Sequence, residues 1–189
     1  MKHHHLARIA IASALALTLL SGCSTWHSAV AYIRSDKAAT CPDIIILANT
    51  SVLPAFDAKK GDDPSGLVYR VTMTDVSTRC DYSKRHHTAD TRAVISYKAT
   101  RPPGGDAAQY RVPYFVAVTN EGKIQQKEIH WIDLEFDRGA TTTTGSAAVN
   151  SMIINVAKGK KGYDYHLIAG FQLTRAQMAY NKKMGQFEP

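Results

Sequence analysis

Apolar and polar side chains alternate with a period of two along much of the chain. Residues 67–76 put Leu67, Tyr69, Val71 and Met73 on one face and Arg70, Thr72 and Thr74 on the other, the pattern of a half-buried strand. Residues 91–100 repeat it with Ala93, Ile95, Tyr97 and Ala99, and residues 110–119 with Val112, Tyr114, Val116 and Val118. Residues 163–173 alternate most cleanly, through Tyr163, Tyr165, Leu167, Ala169, Phe171 and Leu173. Two shorter apolar runs, residues 44–47 and 149–157, have strand length and β-branched content. Residues 51–56 continue the first run after a break at Asn49-Thr50, with Pro54 limiting regular pairing.

Residues 123–136 predict a long strand whose parity changes. Ile129 and Trp131 hold one phase, while Ile132, Leu134 and Phe136 hold the other. A β-bulge near Trp131 and Ile132 would reconcile them. This strand and residues 110–119 form the expected hairpin, across the turn Asn120-Glu121-Gly122-Lys123. Residues 59–66, 77–88, 101–106, 139–145 and 158–162 read as polar connections. Thr174 is an N-cap residue for a helix over residues 175–183. About seven strands with no βαβ rhythm predict a mainly β fold. The expectation is an antiparallel β-sandwich, immunoglobulin- or fibronectin-like, with a short C-terminal helix. A closed barrel with the helix as plug or lid is second.

The N-terminal stretch breaks this pattern. Lys2 and Arg8 precede an apolar run over residues 9–20, of signal-peptide length and too short to span a bilayer. His3, His4 and His5 belong to the charged region. The run ends in Leu20-Ser21-Gly22-Cys23. The expected organisation is a signal peptide at 1–22, a tether at 23–40, a folded domain at 41–184 and a frayed tail at 185–189. Residues 24–40 mix small and charged side chains with Trp26, Val30, Tyr32 and Ile33.

Leu20-Ser21-Gly22-Cys23 resembles the lipobox of bacterial lipoproteins at every position. The resemblance implies cleavage before Cys23, diacylglycerol on its thiol and an acyl chain such as palmitate on its new amino group. Several chains anchor stably, since each buried methylene contributes roughly 0.8 kcal/mol. Ser24, where aspartate would imply inner-membrane retention, implies an outer-membrane protein facing the periplasm. The mature chain is also similar to small proteobacterial envelope lipoproteins of unassigned function. That likeness lies in Cys41-Pro42, Pro113-Tyr114-Phe115-Val116 and Gly170-Phe171-Gln172-Leu173-Thr174 with Gln177, Tyr180 and Asn181. It implies no activity.

Cleavage would leave 189 − 22 = 167 residues, enough for one domain with a sizeable core. Losing Lys2 and Arg8 lowers the formal charge from +7 to +5. A basic surface attracts anionic headgroups, lipopolysaccharide or peptidoglycan, but without a dense basic run an ordinary solvated surface is the simpler account. Beyond Cys23, the chain keeps Cys41 and Cys80, an even pair in an oxidising compartment. A Cys41–Cys80 disulfide is expected. A redox or metal-binding pair is the alternative, without Cys-x-x-Cys spacing to support it.

A search for chemistry finds little. Gly-x-Ser-x-Gly is absent, and residues 139–146 lack the glycine spacing and lysine of a phosphate loop. His86 and His87, adjacent on an extended segment, would face opposite ways and not share a metal. His130 and His166 read as surface or rim histidines. Asp62 and Asp63 sit in a loop. Glu128, Asp133, Glu135 and Asp137 lie on or after one strand, which solvates most of them. Lys158, Lys160 and Lys161 form the one compact basic patch, chiefly a turn.

The functional expectation is a lipid-anchored periplasmic binding or structural module without catalysis, cofactor, metal or nucleic acid. It would act through strand faces, edges or loops, with β-augmentation as one route. The membrane, reached through Cys23, and envelope assembly or transport proteins or cell-wall material are the expected partners. A periplasmic hydrolase or metal-dependent enzyme and a lipid or small-ligand carrier are the rivals.

Overall fold

Strands that are apolar on one side must bury that side, and here they do so against each other. The computed structural model describes residues 41–60 and 64–185. Its strands are β1 (Asp43–Ile46), β2 (Val52–Phe56), β3 (Leu67–Ser83), β4 (Thr88–Thr100), β5 (Ala108–Asn120), β6 (Lys123–Phe136), β7 (Thr142–Asn155) and β8 (Tyr165–Phe171), followed by helix α1 (Arg175–Met184). They make two four-stranded sheets, ordered β1-β8-β5-β6 and β2-β3-β4-β7. All pairings are antiparallel except β1 with β8, which is parallel. The expected sandwich with a short C-terminal helix is therefore the fold. The leader, Cys23, the tether, Asp62, Asp63 and the tail beyond Gly185 lie outside the described residues.

The core is the inner face of both sheets. Val71, Ile95, Val112, Tyr114, Val116, Leu134, Met152, Leu167 and Phe171 are almost wholly buried within it. Except for Met152, whose run was read only as buried at its centre, these are the inward parities read from the alternation. Removing their apolar area from water at about 25 cal/mol per Å² is the main force holding the sheets together.

Four local expectations change. Residues 77–88 are not a loop. β3 and β4 pair without a gap from Val76↔Ile95 to Ser83↔Thr88, so the hairpin extends to a turn at residues 84–87. Threonine, serine and charged side chains form strand there because their backbones satisfy each other across the ladder. The bulge proposed near Trp131 and Ile132 does not form. Pairing runs evenly through Val112↔Ile132, Pro113↔Trp131 and Tyr114↔His130, and the shift falls at Val118/Thr119. Ile129 and Trp131 instead stay on the outer face, 52% and 48% exposed. β7 begins at Thr142, inside the expected 139–145 connection. At the other end of the cleanest alternation, Tyr163 sits in a 3-10 turn, Gly162–Asp164, and is exposed.

The break at Asn49-Thr50 is a sheet switch: a 3-10 turn, Ala48–Thr50, carries the chain from β1 in one sheet to β2 in the other. The Cys41–Cys80 disulfide forms, with Cα atoms 5.8 Å apart. It ties Cys41, two residues before β1, to Cys80 on β3 and so bridges the sheets. α1 starts at Thr174, whose hydroxyl accepts from the Gln177 amide while the Gln177 side chain accepts from the Thr174 amide. This capping box satisfies two otherwise orphan donors.

The two ends of the sandwich differ. At one, β1 enters beside the start of β8 (Asp43↔His166), level with the β5–β6 turn, and the β3–β4 and β7–β8 connections lie there too. Lys160 of the β7–β8 connection pairs with Glu121 of the β5–β6 turn. At the opposite end, Arg101 clamps the β4–β5 and β6–β7 connections. Its guanidinium donates to the carbonyls of Ala140 (2.8 Å), Asp106 (2.6 Å), Asp137 (2.8 Å) and Gly105 (3.3 Å) and stacks over Phe136.

Candidate interaction edge

A β-sandwich has four edge strands, each presenting unpaired backbone donors and acceptors. In this protein three of the four are guarded. β1 has only four residues. β2 carries Pro54, and α1 covers its outer side: Gln177 Nε2 donates to the Pro54 carbonyl and Asn181 Nδ2 to the Val52 carbonyl, each at 2.7 Å. Asn181 is fully buried, as that docking requires. β6 is long but carries Lys123, Lys127, Glu128, Asp133 and Glu135.

β7 has none of these guards over its first half. From Gly139 to Ala157 the chain has no charged residue and no proline. Residues 142–149 pair with β4 in unbroken register, Thr142↔Thr100 to Val149↔Ala93. The ladder then shifts between Thr91 and Ala93, so Asn150 and Ser151 together oppose Arg92. Such a bulge twists an edge away from further pairing. Ser151 secures it through a 2.7 Å bond to Asp90. The open stretch is therefore residues 142–149, with Thr142, Thr144, Ser146 and Ala148 exposed.

Tyr97 lies opposite Gly145 in the middle of this stretch. A side chain at 145 would place its Cβ 2.5 Å from the Tyr97 hydroxyl, so glycine leaves the room that the ring occupies. Burial, and then the carboxylates of Asp133 and Glu135 on β6, raise the Tyr97 phenol above its ordinary pKa. The phenol thus stays neutral between the two long edges.

The histidines and acids do not converge. His86 and His87 are exposed in the β3–β4 turn, not on an extended segment, and His87 adopts φ 52°. His166 faces Asp43 at 2.5 Å on the outer side of the β1–β8 pair. His130 departs from a plain surface position: it takes the inner parity of β6, stacks on buried Tyr114 at 5.4 Å and lies 3.3 Å from Glu128. Gln126 donates to the other Glu128 oxygen at 2.7 Å. Asp133, Glu135 and Asp137 are exposed, as strand alternation implies. Among the described residues, no three His, Cys, Asp or Glu side chains come together as a metal site. Residues 139–146 form the run into β7 and its first half, and Lys158, Lys160 and Lys161 lie in the β7–β8 connection.

On the outer face of the other sheet, Trp131 stands beside Pro113 and beneath the Arg111 guanidinium, 4.9 Å from its ring. Lys127 lies 4.4 Å over the Phe115 ring. Long cationic stems here cover apolar surface while their heads stay in water.

The β7 edge was missed in the sequence because edge status depends on sheet order. The signal that could have found it is the long uncharged, proline-free run itself. Compared with known proteins, the chain matches no family model, no curated protein and no solved structure.

Proposed function

We propose that this protein is a lipid-anchored envelope module, tethered through Cys23, that receives an extended partner segment along residues 142–149 of β7. The observation carrying this reading is the contrast among the edges. Three are short, covered or charged, whereas the first half of β7 is long, straight and unguarded. Main-chain hydrogen bonds from an added strand would supply affinity, and alternate side chains would supply selectivity. The anchor reading rests on Leu20-Ser21-Gly22-Cys23 and its resemblance to bacterial lipoproteins. Envelope assembly or transport proteins and cell-wall-associated proteins are the partners this mode suits.

The test places a photo-crosslinking side chain at Ser146 of the full-length protein in intact envelopes. A discrete adduct is expected, and Ala147→Lys, an inward charge on the edge, should abolish it. Ile153→Lys, beyond the bulge, should leave it. An adduct unaffected by Ala147→Lys, or none, would overturn the docking edge. An adduct between two copies of this chain would make the module self-assembling.

A further inference from the structure

The end of the sandwich where the chain enters is also its most basic end. Three connections meet there: residues 84–87 between β3 and β4, residues 121–123 around the β5–β6 turn, and residues 156–164 between β7 and β8. They bring Lys84, Arg85, Lys123, Lys158, Lys160 and Lys161, against Glu121 and Asp164, or 6 − 2 = +4. Glu121 is engaged by Lys160 and raises its pKa, while Asp164 accepts from the Lys161 amide at 2.7 Å. Lys84, Arg85, Lys123, Lys158 and Lys161 are exposed and enter no ion pair among the described residues. His86 and His87 stand exposed beside the first two.

The connections at the opposite end come close to balance. Among the described residues, Lys59, Lys60, Arg101 and Arg138 meet Asp57, Asp106 and Asp137, or 4 − 3 = +1. Arg101 is spent on loop carbonyls, and Arg138 lies 3.8 Å from Asp106. The excess of positive charge thus lies at one end along the strand direction, carried by the connections and by Lys123 at the start of β6.

Chain entry and charge coincide through topology. β1 runs parallel to β8 and starts level with His166, so the chain enters the domain through Cys41 at the basic end. Cys41 is 41 − 23 = 18 residues from Cys23. Fully extended, those residues reach no further than about 65 Å. A domain held that close meets the surface at high effective concentration, so individually weak contacts become occupied.

We propose that this end docks on an anionic phospholipid surface, the one that carries the anchor. Each lysine or arginine near such a surface contributes about 1 kcal/mol, screened beyond about 8 Å at physiological salt. Three cation-bearing loops at one end can approach a plane together, whereas cations dispersed over strand faces cannot. The open half of β7, residues 142–149, starts at the far end, so docking would present it away from the membrane. This inference rests on the reading of Cys23 as a lipid anchor.

The test uses the full chain with Cys23→Ser, so that no acyl chain contributes. Vesicles of phosphatidylglycerol with phosphatidylcholine are compared with phosphatidylcholine alone. Amide exchange should slow at residues 84–87, 121–123 and 158–161 on anionic vesicles only, and not at residues 101–106 or 137–141. Lys84→Glu with Lys158→Glu should weaken binding by at least about tenfold. Lys59→Glu with Arg138→Glu, an equal charge change, should leave it within about twofold. Equal protection at both ends, no protection at either, or equal losses in the two double variants would overturn the proposal. Palmitate labelling of the unmutated chain, lost on Cys23→Ser, tests the anchor separately. Loop protection without labelling would leave the docking surface and remove the anchor; labelling without loop protection would do the reverse.

Discussion

At the scale of single residues, the fold depends on a few positions where chemistry is unforgiving. Gly170 is one. A Cβ there would lie 2.0 Å from Thr50 Oγ1, 2.9 Å from Thr50 Cβ and 3.0 Å from the Phe115 ring. Thr50 is buried in the turn that switches sheets, so it has little room to give. Gly170→Ala is expected to destabilise by about 1–3 kcal/mol, as overpacking does, read from the midpoint of urea unfolding. Arg101 is another. Its planar fork reaches four carbonyls in two connections, which a lysine ammonium does not reproduce. Arg101→Lys should therefore recover little of the roughly 2 kcal/mol lost by Arg101→Ala. Equal stability of Arg101→Lys and the parent would show that the planar fork adds nothing a lysine ammonium cannot supply.

The tyrosines set the alkaline limit at the same scale. Burial raises the phenols of Tyr69 and Tyr114, and Tyr110 adds to the effect at Tyr69. The folded state then holds protons that the unfolded chain releases. This contribution is complete below the ordinary tyrosine pKa and is lost as pH rises through the higher folded values. Thermal midpoints should fall from about pH 10 upward, and phenolate absorbance should rise in step with unfolding. Tyrosinate signal saturating in a still-folded protein would contradict this.

At the scale of elements, local signals were legible where one strand or helix satisfies its own needs. The capping box at Thr174 and Gln177 is such a signal, and Thr174→Ala should cost about 1 kcal/mol. Alternation also named the buried faces of β3, β4, β5 and β8 correctly, because a side chain's face follows from parity alone. It failed where a partner strand decides. Residues 77–83 look like loop because their side chains are polar, yet β4 completes their ladder. Ile129 and Trp131 suggested a bulge because exposed apolar residues were assigned to the core. For β7, the element-scale expectation is that Ala147→Lys removes edge docking at a stability cost of about 1 kcal/mol with the far-UV β signal kept, since that position packs against the core yet is only partly buried.

At the scale of the molecule, the disulfide and the directionality of the ends matter most. Cys41–Cys80 closes a 39-residue separation and joins the two sheets where the chain enters. In the chain-entropy model, such a cross-link stabilises by about 4 kcal/mol relative to the reduced protein. Cys41→Ser with Cys80→Ser should lower the urea midpoint accordingly while keeping the far-UV β signal. Unchanged stability would mean that β1 holds its place without the link. The same entry point gives the sandwich one basic end and one end closed by Arg101.

The sequence by itself determined the strand-rich class, most inward-facing parities, the helix and its cap, and the even cysteine pair. Each follows from short-range rules: period, capping geometry and redox parity. The tertiary structure decided sheet order, and with it which strands are edges, where the disulfide bridges and which loops share an end. These depend on pairing between residues far apart in the chain, for which local patterns carry no address. Both proposed surfaces arise at that level, one from an unguarded strand becoming an edge, the other from three separate loops and the chain entry meeting at one end.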